Sequence, residues 1–160
     1  NGAYSSIQVI LLVSLRILIG WHFFYEGMIK LLNSDWSSIG FLLDSQGPFS
    51  GLFLWMAANP KIVDVVDFLN VYGLVAIGAG LILGLFTQVA TLSGVVLLGF
   101  YFLSHPPFIG YQYSLPAEGS YLWVNKNLIE LFALLVLYVF PTGKIIGADR
   151  LYFMFKSAKK

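Results

Sequence analysis

The chain has 160 residues, of which 58% are hydrophobic and 11% are charged, and its mean hydropathy is +0.81. Soluble globular domains carry about 25% charged residues, so this composition excludes a soluble domain and predicts a protein of the lipid bilayer. The net charge of +1, without a basic patch, gives no basis for nucleic-acid binding. Because the chain has two histidines and no cysteine, we expect no metal site and no covalently attached haem.

Four hydrophobic segments are long enough to predict membrane spans, so the expected fold is an all-α integral membrane protein. It would be a single domain, a four-transmembrane-helix bundle, with spans at about 7–32, 66–86, 89–103 and 123–140. Only Thr87 and Gln88 separate the second and third spans, which predicts a tight hairpin. The first span is too long for a cleavable signal peptide.

The connections between the spans are rich in aromatic residues. The apolar runs in the 33–61 connection are too short to cross a bilayer, and Gly47-Pro48 and Pro60 interrupt them. Short helices at the membrane interface are therefore expected in this connection and in the C-terminal tail. Within the second span Ala76, Gly80 and Gly84 recur every four residues, which predicts close packing against another helix.

The distribution of lysine and arginine predicts the orientation. The last seventeen residues contain five basic side chains, whereas the 33–67 and 104–126 segments contain one each, Lys61 and Lys126. Since basic residues accumulate on the cytoplasmic side, the C-terminus is expected in the cytoplasm. Four spans would then place the N-terminus there too.

Ionisable residues interrupt the first predicted span. They are Arg16, His22, Glu26 and Lys30. At about 100° per residue, the last three lie at about 240°, 280° and 320° from Arg16, so all four share one third of the helix surface. A charge at the bilayer centre costs at least about 2.5 kcal/mol, which makes this set a candidate functional site.

Other side chains are expected at the same depth, because the fourth span starts where the first one ends. If these residues form a functional site, we expect His22 and Glu26 to be the catalytic pair that exchanges protons. The expected binding residues are Arg16, Trp21, Tyr25, Lys30, His105 and Glu130.

Three interpretations of this set remain open. The first is a pocket for a quinone headgroup or a small anion. The second is a structural ion-pair network that fixes the bundle or docks a partner subunit. The third is an ion path, which needs polar groups in both halves of the membrane, although only Gln8 and Ser14 lie on the other side of Arg16 in the first span.

An ordered series of segments resembles the DoxX/DoxD-like membrane family, including the small-subunit type of thiosulfate:quinone oxidoreductase. The series is RILIGWHFFYEGMIKL, WSSIGFLL, GPFSGLF, LVAIGAGLILGLFTQVATLSG, NKNLIELFALLVL and PTGKIIGADRLY, and it covers nearly the whole chain. In that family a basic residue often follows the hairpin threonine, where this chain has Gln88.

The resemblance implies a multi-pass protein of a bacterial or archaeal cytoplasmic membrane that works with partner polypeptides. For the thiosulfate-oxidising branch it implies electron transfer to a membrane quinone, the expected cofactor here. Arg16, His22 and Glu26 match the polar first-span positions, and Asp149 matches the tail aspartate. The expected function is a membrane subunit of a quinone-linked oxidoreductase. The alternative is a non-catalytic subunit that stabilises a larger complex through its glycine ridge and its aromatic outer connections. A partner subunit or a second copy of the chain is expected to bind it.

Overall fold

The structure is a computed structural model that describes residues 4–114, 122–150 and 154, and the described regular elements are helical. They are α1 (Ser6–Leu32), α2 (Ile39–Leu43), α3 (Ser50–Ala57), α4 (Pro60–Leu83), α5 (Thr87–Ser104) and α6 (Lys126–Val139), followed by a 3₁₀ turn, Thr142–Lys144. The predicted all-α class is confirmed for these residues. Much of the predicted C-terminal surface helix, with its terminal lysines, lies outside the described residues.

Three of the helices in the described part of the chain are long and apolar enough to cross a membrane. They are α1 with 27 residues, α4 with 24 and α5 with 18, which supports the predicted bilayer environment. The fourth predicted span, 123–140, is shorter than expected, since α6 has 14 residues. At 1.5 Å per residue α6 rises about 21 Å, less than the bilayer core of about 30 Å.

The ends of the long helices follow from local chemistry. The Ser5 side chain accepts from the Gln8 amide (3.3 Å) while the Gln8 side chain accepts from the Ser5 amide (2.9 Å), a capping box that starts α1. Pro60 in the first turn of α4 starts that helix at 60 rather than 66, because the first turn needs no backbone donor from it.

The predicted Thr87-Gln88 link between the second and third spans is wrong. The chain turns at 84–86, where Gly84 and Phe86 both adopt the left-handed conformation, at φ 67° and 47°. Thr87 and Gln88 already belong to the first turn of α5. Gly84 ends α4 in the way typical of a left-handed helix cap.

Two tightly packed helix pairs, α1 with α4 and α5 with α6, form the body of the molecule. Glycines allow the first pair to approach closely, since a Cβ at Gly27 would lie 2.7 Å from the Val75 nitrogen. Of the predicted ridge, Gly80 packs against another helix, beside Ala90 of α5, whereas Gly84 lies in the turn against Gly147 and Arg16. Ala76 is exposed.

The two pairs meet mainly where α4 contacts α5, whereas α1 and α6 are less closely packed. We call this loosely packed side the α1–α6 seam. Inside the bundle lies an apolar core of residues from all four long helices, among them Phe23, Leu81, Leu98 and Leu134. The bundle therefore has three closely packed sides and one loose one.

The short helices pack on the first third of α4. Leu42 from α2 and Phe53 and Ala57 from α3 form a second apolar cluster with Val63 of α4. The prediction of short helices in the 33–61 connection is thus confirmed. These helices lie at the end of the bundle where α1 and α5 finish, which we call the Lys30 end. The other end contains the 84–86 turn and the 3₁₀ turn, and we call it the Arg16 end.

Candidate functional site

A histidine–carboxylate pair crosses the α1–α6 seam. The Nδ1–H of His22 on α1 donates to Oε1 of Glu130 on α6 at 2.8 Å. The His22 side chain is 32% exposed and that of Glu130 is 10% exposed, so the histidine is partly accessible whereas the carboxylate is largely buried. The bond uses Nδ1 and leaves Nε2 as the ring nitrogen available to a ligand.

Glu130 lies on the inward face of α6. It precedes the fully buried Leu134 by one helical turn, so the carboxylate continues the face that packs into the bundle. Its second oxygen, Oε2, is buried and has no hydrogen-bond partner among the residues that the structure describes. A buried polar oxygen without a partner costs about 1–3 kcal/mol, which is expected of a site that a ligand completes.

A lysine lies two turns further along α1, surrounded by aromatic rings. The Lys30 Nζ donates to Asn70 Oδ1 of α4 at 3.3 Å, and the Tyr101 hydroxyl of α5 donates to the same oxygen. The ammonium also lies 4.9 Å from the centre of the Trp36 ring and 5.7 Å from that of Tyr101. The exposed Glu26 interacts electrostatically with both Lys30 and Tyr101.

Each of the four long helices thus contributes polar groups toward the Lys30 end of the bundle. We call Lys30, Asn70 and Tyr101 the polar layer, and Glu130 lies about two helical turns from it, at the level of His22. Sequence reasoning missed Asn70 and Tyr101, although a single amide within an apolar span was a usable signal. Between these polar groups and Arg16 the described core is apolar, which argues against a continuous ion path.

Arg16 does not join the other residues predicted to form the site. Its side chain is buried at 3% exposure, and its Nη1 donates to Oγ1 of Thr142 in the 3₁₀ turn at 3.2 Å. A Cβ at Gly84 would lie 3.0 Å from Nη1, so the guanidinium packs on the α4–α5 turn. Asp149 is the carboxylate that interacts electrostatically with the guanidinium.

Asp149 explains why Arg16 is held at this end. The Asp149 carboxylate accepts from the Phe86 amide at 2.7 Å and from the Thr87 amide and hydroxyl at 3.1 and 2.7 Å. These groups form the N-terminus of α5, which favours a negative charge. The Arg16 cluster therefore fastens the C-terminal segment to the helical hairpin, and its geometry is that of an anchor.

His105 lies in a third cluster, at the Lys30 end. Its ring stacks on Phe41 (4.0 Å between centroids) and lies 4.5 Å from the Tyr113 ring, with Nε2 3.6 Å from Asp44 Oδ2. Burial lowers the pKa of His105 below its usual value, and Asp44 opposes this shift. Burial, with Tyr111 and Asp44, raises the pKa of Tyr113 to about 12.

Trp21 and Tyr25, predicted to bind substrate, lie on the outer surface of α1. Trp21 is 59% exposed, and its ring stacks on that of Tyr25 at 6.2 Å between centroids. Both therefore face the surroundings of the bundle rather than its interior. Tyr25 is close to His22 on the helix surface, about 60° away.

No known family model, curated protein or solved structure matches this chain. The site is therefore interpreted from its own geometry.

Proposed function

We propose that the chain is a quinone-binding membrane subunit of an oxidoreductase, with the His22–Glu130 pair at the binding site. The observation that carries the proposal is the buried, unpartnered Oε2 of Glu130 beside a half-buried histidine. A quinone headgroup offers carbonyl oxygens that need hydrogen-bond donors, and its quinol form offers hydroxyl donors. The histidine can donate a hydrogen bond to a quinone carbonyl, and the carboxylate can accept one from a quinol hydroxyl.

The residues of the site would hold and move protons. A bound quinone supplies reversible chemistry in which two electrons and two protons convert its carbonyl oxygens to hydroxyls. On reduction of the quinone, His22 would donate a proton to a quinone oxygen through Nε2 while Glu130 fixes the ring through Nδ1, and the histidine would then regain a proton from water. Glu26, one turn away and exposed, would exchange protons with water. The electrons would come from a partner polypeptide.

The number of membrane spans, the orientation of the termini and the type of membrane are also part of the proposal. We propose that α6 completes a four-span bundle together with the flanking apolar residues Trp123 and Phe140, which are exposed at its two ends. The basic tail supports cytoplasmic N- and C-termini, in the cytoplasmic membrane of a bacterium or archaeon. Membership of the DoxX/DoxD-like family rests on the sequence resemblance.

The sequence resemblance suggests thiosulfate as the electron donor. The single pocket holding an anion with Arg16, His22 and Lys30 has no support in the geometry, since Arg16 lies in a separate cluster. The alternative, a non-catalytic subunit that only assembles a larger complex, depended in part on a glycine ridge that could bind a partner. Gly80 and Gly84 of its proposed docking ridge pack within this chain.

Binding of a decyl-substituted benzoquinone to the purified protein in lipid nanodiscs tests the proposal. We expect His22→Gln to weaken binding at least tenfold, which corresponds to about 1.4 kcal/mol. His105→Gln is the matched control, because the second histidine lies in a different cluster, and it should leave affinity unchanged. No binding by the wild-type protein, or equal binding by the His22 variant, would contradict the proposal.

A further inference from the structure

The loose side of the bundle is also the side on which the His22–Glu130 pair lies. The pairs α1–α4, α5–α6 and α4–α5 are more closely packed than α1 and α6. The hydrogen bond between His22 and Glu130 crosses this seam. Separating two loosely packed helices costs less buried surface than opening any of the other three sides.

The outer face of the seam is apolar. On α1, Leu18, Tyr25 and Ile29 lie in the same helical row as His22, and all three are exposed. On α6, the corresponding exposed side chains are Ile129 and Val136. The partly exposed His22 of the pair is therefore flanked by exposed apolar side chains of both helices.

The route from the Lys30 end is covered. The Gln46 amide donates to the Ser104 carbonyl at 3.1 Å, and the Ser114 amide donates to Asp44 at 2.9 Å. These bonds hold the 105–114 segment against α2. Phe41 then lies between the rings of His105 and Tyr101, 4.0 and 5.6 Å from their centroids, above the polar layer.

We infer that the ligand of the His22–Glu130 pair reaches it sideways from the lipid, through the α1–α6 seam. The ligand class is a lipid-dissolved molecule with a polar ring and an apolar tail. Its ring would lie against the polar pair and its tail between the two apolar walls. The choice of a quinone ring rests on the proposed function, whereas the route rests on the packing of the helices.

Ala133 is the residue that tests the route. It lies about 60° from Glu130 on the α6 surface, on the side opposite Leu131, which approaches Gly99 of α5. It is partly buried against the core, and its position on the helix places it on the α1 side of α6, because Glu130 bonds His22 of α1. A larger side chain at Ala133 would narrow the seam without replacing a polar group.

The experiment measures association rates in nanodiscs for two benzoquinones that carry the same ring, one with a decyl tail and one with a methyl group. We expect the wild-type protein to bind the decyl form at least tenfold more tightly. Ala133→Leu should slow its association at least tenfold, whereas Ala133→Gly should leave the rate unchanged or raise it. Ala76→Leu is the matched control, because Ala76 is exposed on α4.

The outcomes separate the route from the function. If both quinones bind with equal affinity and Ala133→Leu does not change the rates, lateral access is wrong while the proposed function stands. If neither quinone binds the wild-type protein, both are wrong. Thermal unfolding of each variant checks its fold, and the glycine variant keeps the test decisive if the leucine variant does not fold.

Discussion

The surroundings of His105 predict how the docking of the neighbouring 105–114 segment depends on pH. Its ring is enclosed between Phe41 and Tyr113 and lies near one carboxylate, Asp44. The other titratable groups on the adjoining elements, Tyr101 and Tyr111, are neutral at ordinary pH. Burial lowers the pKa of His105, and Asp44 only partly compensates.

The docked 105–114 segment should therefore loosen as the pH falls. A histidine with a lowered pKa stabilises the folded state fully above about pH 6.5, its unfolded pKa, and loses that contribution as the pH falls below it. We expect hydrogen exchange in 106–114, corrected for intrinsic rates, to increase between pH 7.5 and 5.

A variant that cannot titrate provides the control for this pH dependence. His105→Phe keeps the aromatic stack and should make the exchange independent of pH over the same range. Increased protection of the wild-type segment at low pH would instead show that the Asp44 ion pair outweighs burial.

Arg16 shows what the sequence predicted at the level of single residues and what it could not. That a buried arginine needs a partner followed from the cost of burying charge, and the structure gives it Thr142 and Asp149. The identity of the partner could not be predicted, because the two residues lie more than 120 positions away in the chain. The arginine side chain also extends toward the N-terminus of its helix, away from His22.

At the scale of elements, α5 depends on a cap supplied from far along the chain. Its own N-cap residue, Phe86, offers no side-chain acceptor, and Asp149 takes that role. Gly84 in the sequence indicated where α4 ends, but no local pattern could indicate a cap about sixty residues away. This is why the turn was predicted three residues late.

Removing this cap should destabilise the protein. Asp149→Ala is expected to lower the free energy of unfolding by about 2 kcal/mol, since a cap and a favourable helix-dipole interaction are both lost. Asp149→Asn should cost less, because the amide oxygen still accepts one hydrogen bond. Denaturant unfolding in mixed micelles measures both, with the exposed Asp35→Ala as the control. Equal stability of the Asp149 and Asp35 variants would contradict the capping role.

At the scale of the whole molecule, hydropathy predicted the apolar helices but not their partners. The α1–α4 pair is joined by glycines on both helices, Gly20 and Gly27 on one and Gly78 on the other. The sequence pattern drew attention to Gly80 and Gly84 instead, because it cannot tell which helix face meets which neighbour. The loose α1–α6 seam likewise follows from the assembled packing and from no single segment.

The close approach of α1 and α4 yields the last prediction. A Cβ at Gly78 would collide with the backbone of α1 at Phe24, whereas a Cβ at Gly73 on the same helix would meet nothing within 4 Å. Gly78→Ala should therefore lower the free energy of unfolding by about 1–3 kcal/mol, the usual cost of overpacking. Gly73→Ala should be neutral or stabilise the protein by up to about 1 kcal/mol, because alanine favours the helix.

The same pair of variants links packing to the site. Since α1 is held mainly by α4, displacing it at Gly78 would move His22 relative to Glu130 on the far side of the seam. Quinone affinity should then fall in Gly78→Ala and remain unchanged in Gly73→Ala, measured in the same nanodiscs. Equal stability of the two variants would mean that α1 and α4 can separate without cost. Loss of stability with unchanged affinity would mean that the His22–Glu130 geometry does not depend on this contact.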